Sequence, residues 1–211
     1  MAKKTKKFTP NVPHFEPVGH LYHTDDGTCL DSVTTILKAE LGLYQFSSQN
    51  AANRGTRVHK ACQYLDEKDL DRSSLDAEIM PYVEQYAKAL AFHGIKVHRN
   101  ELIRFSPRYM VAGTVDKIVT IGADNGVLDL KTGSEEKWHK WQTAPYFEMV
   151  EEEFKAYGLP LTKRWGLILR PDSFRLVEHT GRRDMVEFLT FLAAHNLKIN
   201  AGYRKRKAEQ N

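Results

Sequence analysis

Residues 113–133 read GTVDKIVTIGADNGVLDLKTG, two β-rich runs around a Gly/Asp/Asn turn, with Asp116 in the first run and Asp129 in the second. An ionised carboxylate among apolar strand neighbours is costly unless a cation pairs with it or a metal coordinates it. Lys131 follows Asp129 by two residues, so on a strand the two share a face. With Gly122 to Asn125 as the loop, Ile121 faces Gly126, Asp116 lies opposite Lys131, and Asp129 becomes its diagonal neighbour. Diagonal neighbours are about 7–8 Å apart, a span that two inward-leaning carboxylates can close around one cation. A loop one residue longer or shorter would move one aspartate to the other face. The pair with its lysine forms a hard-oxygen site for Mg²⁺ or Mn²⁺. Such an ion can stabilise charge developing in phosphodiester hydrolysis, with the lysine positioning water or steadying the attacked phosphate. The competing reading is a plain Asp116–Lys131 salt bridge.

An acidic residue two before a lysine occurs four times, at Asp66/Lys68, Asp129/Lys131, Glu135/Lys137 and Glu153/Lys155. The spacing therefore says little, and only the Asp129 pair lies on a strand after another aspartate-bearing strand. The elements that must hold this pair follow from periodicity and turn chemistry. His20 to Leu30 reads as a small hairpin turning at Asp26-Gly27, and Ser32 can cap a helix over Val33 to Leu43. A second helix over Gln49 to Leu65 is expected to break or restart near Gly55. Ser74 begins an amphipathic helix that Gly94 ends. Strands follow over Ile95 to Phe105, Tyr109 to Ile121 and Val127 to Lys131. Thr132 and Glu135 have capping-box spacing, opening a long helix to about Tyr157, with a kink expected at Pro145. Lys163 to Arg170 and Phe174 to Glu178 are strands, and Arg183 to His195 a last helix. This order predicts an α/β fold around a mixed sheet.

In its motifs the chain resembles the PD-(D/E)XK nuclease superfamily, specifically the RecB-like exonuclease branch with its phage-type members. The family's αβββαβ restriction-endonuclease-like core matches residues of about 74–171, with extra N-terminal helices before it. Its G-x-x-D reads Gly113-Thr-Val-Asp116 here, its D-x-K reads Asp129-Leu-Lys131, its Q-x-x-x-Y reads Gln142-Thr-Ala-Pro-Tyr146, and its G-x-x-x-H reads Gly55-Thr-Arg-Val-His59. Residues 20–37, HLYHTDDGTCLDSVTTIL, also resemble the N-terminal region of phage-encoded members. The resemblance implies a metal held by His59, Asp116, Asp129 and the Leu130 carbonyl, with Lys131 serving the attacking water and two ions taking part in catalysis. Glu101 is a supporting candidate. Gln142 and Tyr146, four apart on one helix face, are expected to contact DNA. Arg54 and Arg57, flanking the histidine motif, could bind phosphates.

The bulk properties bound the rest. The 211 residues suit one nuclease domain over 14–198, between a disordered basic tail at 1–13 and a basic tail at 199–211. Lys3, Lys4, Lys6 and Lys7, and Arg204 to Lys207, suit a polyanion, although solvated tails explain charge runs equally well. Two cysteines exclude a four-cysteine iron–sulfur cluster within the chain. No phosphate-loop motif for ATP is present. No apolar run approaches a membrane span, and the basic start is not followed by the apolar stretch of a signal peptide. The expectation is a DNA exonuclease in the cytoplasm of a bacterial host, acting on duplex ends or a single strand in phage recombination, repair or processing. A recombination annealing protein, or another replication or repair protein, would be its companion. The alternatives are a structure-specific or restriction-type endonuclease and a non-catalytic DNA-binding module.

Overall fold

The computed structural model describes residues 8–43 and 49–206. Within them, eight strands form one mixed sheet and five α-helices pack around it. Three short strands, β1 (His14–Glu16), β2 (Leu21–His23) and β3 (Cys29–Ser32), lead into α1 (Val33–Leu41), whose first turn Ser32 caps by accepting from the Thr35 amide. Two longer helices follow, α2 (Gln49–Asp66) and α3 (Met80–His93). The antiparallel meander is β4 (Lys96–Ser106), β5 (Val111–Ile121) and β6 (Asp124–Thr132). After α4 (His139–Ala156), β7 (Lys163–Leu169) pairs parallel to β6, and β8 (Phe174–Glu178) turns back antiparallel before α5 (Asp184–Asn200). No helix among the described residues is long and apolar enough to cross a membrane.

The sheet is buried on both faces, as its nearly unbroken apolar strands require. Leu128 and Leu130 of β6 and Leu167 of β7 join Val58 and Cys62 of α2 and Tyr86 of α3 in one core. Val127, one residue out of phase, joins Ile118 in a second core with Ile36, Val150 and Phe188, supplied by α1, α4 and α5.

Several local signals lose to tertiary pairing. The α2 helix runs through Gly55 without a break, and α3 begins at Met80, with Pro81 in its first turn, after a 3₁₀ turn at Arg72–Ser74. Thr132 caps nothing: it is the last residue of β6, paired with Leu169, and α4 starts only at His139. The parallel ladder claims Thr132 before a helix can nucleate there. Pro145 sits inside α4, where its ring removes one backbone bond. The β5–β6 hairpin is two residues tighter than expected, because Ile121 pairs with Asp124. Gly122 takes φ +61° at the first turn position, the left-handed region that glycine enters cheaply. A shift of two preserves the face of every side chain, so both aspartates still point the same way. Their partners change, however, because the same register carried one step past Lys117↔Leu128 sets Asp116 opposite Asp129 and not Lys131.

Beneath this hairpin lies a buried ion pair. Lys117 is 0% exposed, and its Nζ donates to Asp66 Oδ2 at 2.6 Å and Asn100 Oδ1 at 2.7 Å, while the Tyr86 hydroxyl donates to the same aspartate. Removing one partner of a buried pair costs about 3–5 kcal/mol, because the other charge is left uncompensated. Lys117→Met should lose stability on that scale in urea denaturation. Adding Asp66→Asn, which keeps an acceptor for Tyr86, should recover at least half of the loss.

Candidate active site

The β5–β6 ladder stops after Lys117↔Leu128, and the two strands diverge with Asp116 and Asp129 at the fork. Divergence strips Leu130 of cross-strand partners on that side, and side chains replace them. The Leu130 amide donates to Asp116 Oδ2 at 2.8 Å, and the Leu130 carbonyl meets His59 Nε2 at 3.1 Å. That second bond requires a proton on Nε2, which leaves the Nδ1 lone pair of a neutral His59 facing Asp116 Oδ2 at 3.5 Å and Glu101 Oε1 at 3.8 Å.

Glu101, expected only in a supporting role, joins the candidate metal group itself. Asn100 pairs with Lys117 and Leu102 with Val115, so Glu101 falls opposite Asp116 across β4 and β5. It does so with φ +48°, a conformation that costs a side-chain-bearing residue on the order of 1–2 kcal/mol. His59, Glu101 and Asp116 each offer an atom within 4.8 Å of the others, and they are the group of acidic and histidine side chains among the described residues that could hold a metal ion. Asp129 lies outside that group. Its carboxylate is 0% exposed, and Lys131 Nζ lies 2.6 Å from Oδ2 without the alignment of a hydrogen bond. In place of the competing Asp116–Lys131 bridge, Lys131 pairs with Asp129 along one strand. Lys131 is the partner of Oδ2, and Oδ1 has no hydrogen bond, which leaves one hard oxygen of the kind that a divalent cation satisfies.

The electrostatics follow from crowding. Burial, opposed by Lys131 and reinforced by Asp116, pushes the Asp129 carboxyl up to about 6. Burial likewise raises Asp116, with His59 opposing the rise and Glu101 adding to it. Burial disfavours the His59 imidazolium, yet Asp116 and Glu101 outweigh it and raise that group above the ordinary imidazole. Both carboxyls therefore hold their protons to a higher pH than exposed ones do.

Gln142 and Tyr146 sit on the α4 turn facing the fork, 4% and 3% exposed, so neither is a surface contact. The Gln142 amide donates to the Tyr146 hydroxyl at 3.2 Å, and both line a cavity of about 660 Å³ that also reaches His59, Glu101 and Asp116. Burial, with Asp129 and Asp116 nearby, holds the Tyr146 phenol well above its usual range, so it stays protonated. Gly113 is explained by the same ring: a Cβ there would come within 2.5 Å of Tyr146 Cε1. Arg54 and Arg57 are turned elsewhere. Arg57 pairs with Asp76 and Glu78, and Arg54 lies 3.8 Å from Glu78 with its guanidinium over the Tyr82 ring. Neither lines the cavity. The chain matches no family model and no curated protein.

Two neighbours of Asp129 escaped the sequence reading. Gly166 is its partner on β7, and a Cβ there would meet the His179 ring at 3.3 Å, so the missing side chain admits that imidazole beside the aspartate. Burial pushes His179 down to about 4 and His139 down to about 3, keeping both neutral. Neither histidine belongs to a quoted motif, although His139 lies three residues before Gln142.

The raised Asp129 pKa has a sign. The native state holds this proton to a higher pH than the unfolded chain, so stability falls as pH rises from about 4 to about 6. Asp129→Asn should therefore melt several degrees above the unsubstituted protein at pH 8 in chelator, with the difference shrinking toward pH 5. The metal group gives a second expectation. His59→Ala and Glu101→Gln should each weaken Mn²⁺ binding at least tenfold by calorimetric titration, with circular dichroism unchanged. An unaltered affinity in Glu101→Gln would remove that residue from the group.

Proposed function

We propose that this chain is a metal-dependent deoxyribonuclease built on a restriction-endonuclease-like core and acting mainly as an exonuclease. The observation that carries the reading is the meeting of a potential metal group (His59, Glu101, Asp116) with a buried carboxylate and its lysine (Asp129, Lys131) at one strand fork. The element order α3-β4-β5-β6-α4-β7 is the order that the resemblance implies, and its short motifs fall on the fork and on the helices beside it.

His59, Glu101 and Asp116 would hold Mg²⁺ or Mn²⁺, with Asp129 available to the same or a second ion. A bound ion would supply Lewis-acid stabilisation of the negative charge that builds on the attacked phosphate. The protein's own groups do the rest. Lys131, anchored by Asp129 and lying 5.6 Å from the centre of the Trp138 ring, directs an ammonium toward the fork, where it can hydrogen-bond a water or a phosphate oxygen. Tyr146 and Gln142 close the cavity floor with a protonated phenol and an amide, neutral donors that do not repel a phosphate. Hydrolysis adds water to phosphorus and breaks the bond to the leaving oxygen, giving a 5′-phosphate and a 3′-hydroxyl.

The test is release of nucleotides from end-labelled linear duplex and single-stranded DNA in Mn²⁺ or Mg²⁺, beside covalently closed circular DNA. Linear substrates should be degraded and closed circles spared; cutting of circles would favour an endonuclease, and no hydrolysis would sink the nuclease reading. Lys131→Ala should lower the rate at least a hundredfold while leaving Mn²⁺ affinity within a factor of about three.

A further inference from the structure

The cavity beside the metal group extends well past it, and its outer wall comes from the N-terminal hairpin. Phe15 of β1, His20 of the connecting turn and Tyr22 of β2 all line it. Their rings form one cluster, with centroids 5.0 Å apart for Phe15–His20 and Phe15–Tyr22 and 5.2 Å for His20–Tyr22. The cluster is built: the buried Tyr22 hydroxyl bonds His20 Nε2 at 2.8 Å and Thr114 Oγ1 at 3.1 Å, on the strand that carries Asp116. Gly19 and His20 take φ +80° and +53°, the tight left-handed turn that folds His20 back over the other two rings. Phe15 stays half-buried and His20 exposed, so the outer two rings keep accessible surface. Lys38 of α1 and Lys60 of α2 line the same cavity.

We propose that this wall is a binding site for the unpaired end of a DNA strand, with a base stacked on Phe15 and His20 and backbone phosphates beside Lys38 and Lys60. The proposal rests on the nuclease reading above and names the form of substrate that site would take. Three observations carry it. The volume of about 660 Å³ is that of a pocket for a small ligand, a class that spans about 300–1,000 Å³, which is the scale of one or two unpaired nucleotides rather than of a duplex. Aromatic faces with flanking cations are the combination that binds single strands irrespective of sequence, because every base offers a π-face. Finally, the floor is acidic at Glu101 and Asp116, so an approaching polyanion needs cations at the wall, and that is where the lysines lie.

The experiment measures binding apart from turnover. Fluorescence anisotropy of a labelled single-stranded 12-nucleotide DNA would be followed in Mn²⁺, with Lys131→Ala as the background in which hydrolysis is suppressed. Phe15→Ala should weaken binding about tenfold, while Phe15→Tyr, which keeps the ring, should bind as the parent does. An oligonucleotide with abasic terminal positions should lose the same factor against the parent and nothing more against Phe15→Ala. A duplex closed by hairpin loops at both ends should be indifferent to Phe15. Equal affinity of Phe15→Ala and its parent for the single strand, or an abasic penalty that persists in Phe15→Ala, would overturn the proposal. Phe15-dependent binding without any metal-dependent hydrolysis in the unsubstituted protein would sink the nuclease reading and leave this site standing. Hydrolysis with Phe15-independent binding would do the reverse.

Discussion

The buried ion pair of Lys117 with Asp66 fixes the parts on which the rest of the molecule depends. Three residues of that network are tied by chain connectivity to the metal-binding candidates: Asn100 precedes Glu101, Lys117 follows Asp116, and Asp66 lies two turns beyond His59 on the same helix. Hydrogen bonds of 2.6 and 2.7 Å from one ammonium thus lock β4, β5 and α2 in mutual register. A hydrophobic contact would hold the same elements together, but with a choice of sliding positions. A fully buried charge permits little sliding, because any arrangement that unpairs it costs several kcal/mol.

Above that anchor the β5–β6 ladder opens. Continuing the β5–β6 ladder would have satisfied Leu130 by ordinary strand pairing; instead Asp116 and His59 supply its partners. Glu101 adopts a left-handed backbone conformation to reach the same point. Asp129 is pushed up to about 6 because it is buried with too little positive charge around it. Strain, an unbonded carboxylate oxygen and mutual repulsion all collect within one small volume, while the cores on either side are conventional. Such clustering is the pattern that functional sites share.

The basic segment after α5 behaves differently from a solvated tail. Arg204 bonds Glu40 and His195, Arg206 donates to Asp31 Oδ2 at 2.8 Å, and Lys198 joins Glu40. Glu40 and Asp31 lie in and beside α1; desolvation is outweighed at Glu40 by Lys198 and Arg204 and at Asp31 by His195 and Arg206, so both carboxyls are held below their usual range. The charge run therefore closes the fold by tying its last described residues to its first helix. Lys38 and Lys60, by contrast, line the cavity.

The sequence by itself determined the element order from α3 to β7, because alternating strands, apolar runs and Gly94 are local signals that tertiary contacts did not contradict. It also determined that Asp116, Asp129 and Lys131 share a neighbourhood, since period-two alternation survives a register shift of two. Only the tertiary structure decided who touches whom. The hairpin register depended on whether Gly122 takes a left-handed turn, and that choice belongs to the ladder as a whole. Glu101 joined His59 and Asp116 through the pairing of Asn100 with Lys117, a contact between strands that spacing along the chain cannot express. Gln142 and Tyr146 share a helix face by spacing alone, but whether that face meets solvent or a cavity floor depends on the glycine at 113, where the ring of Tyr146 needs the space. Arg54 and Arg57 looked free because their partners, Asp76 and Glu78, lie some twenty residues on and meet them only once α2 packs against the start of α3. Periodicity is a property of one chain segment and can be read from it. Pairing, burial and the fate of a charge depend on two segments at once, and they exist only after folding has brought those segments together.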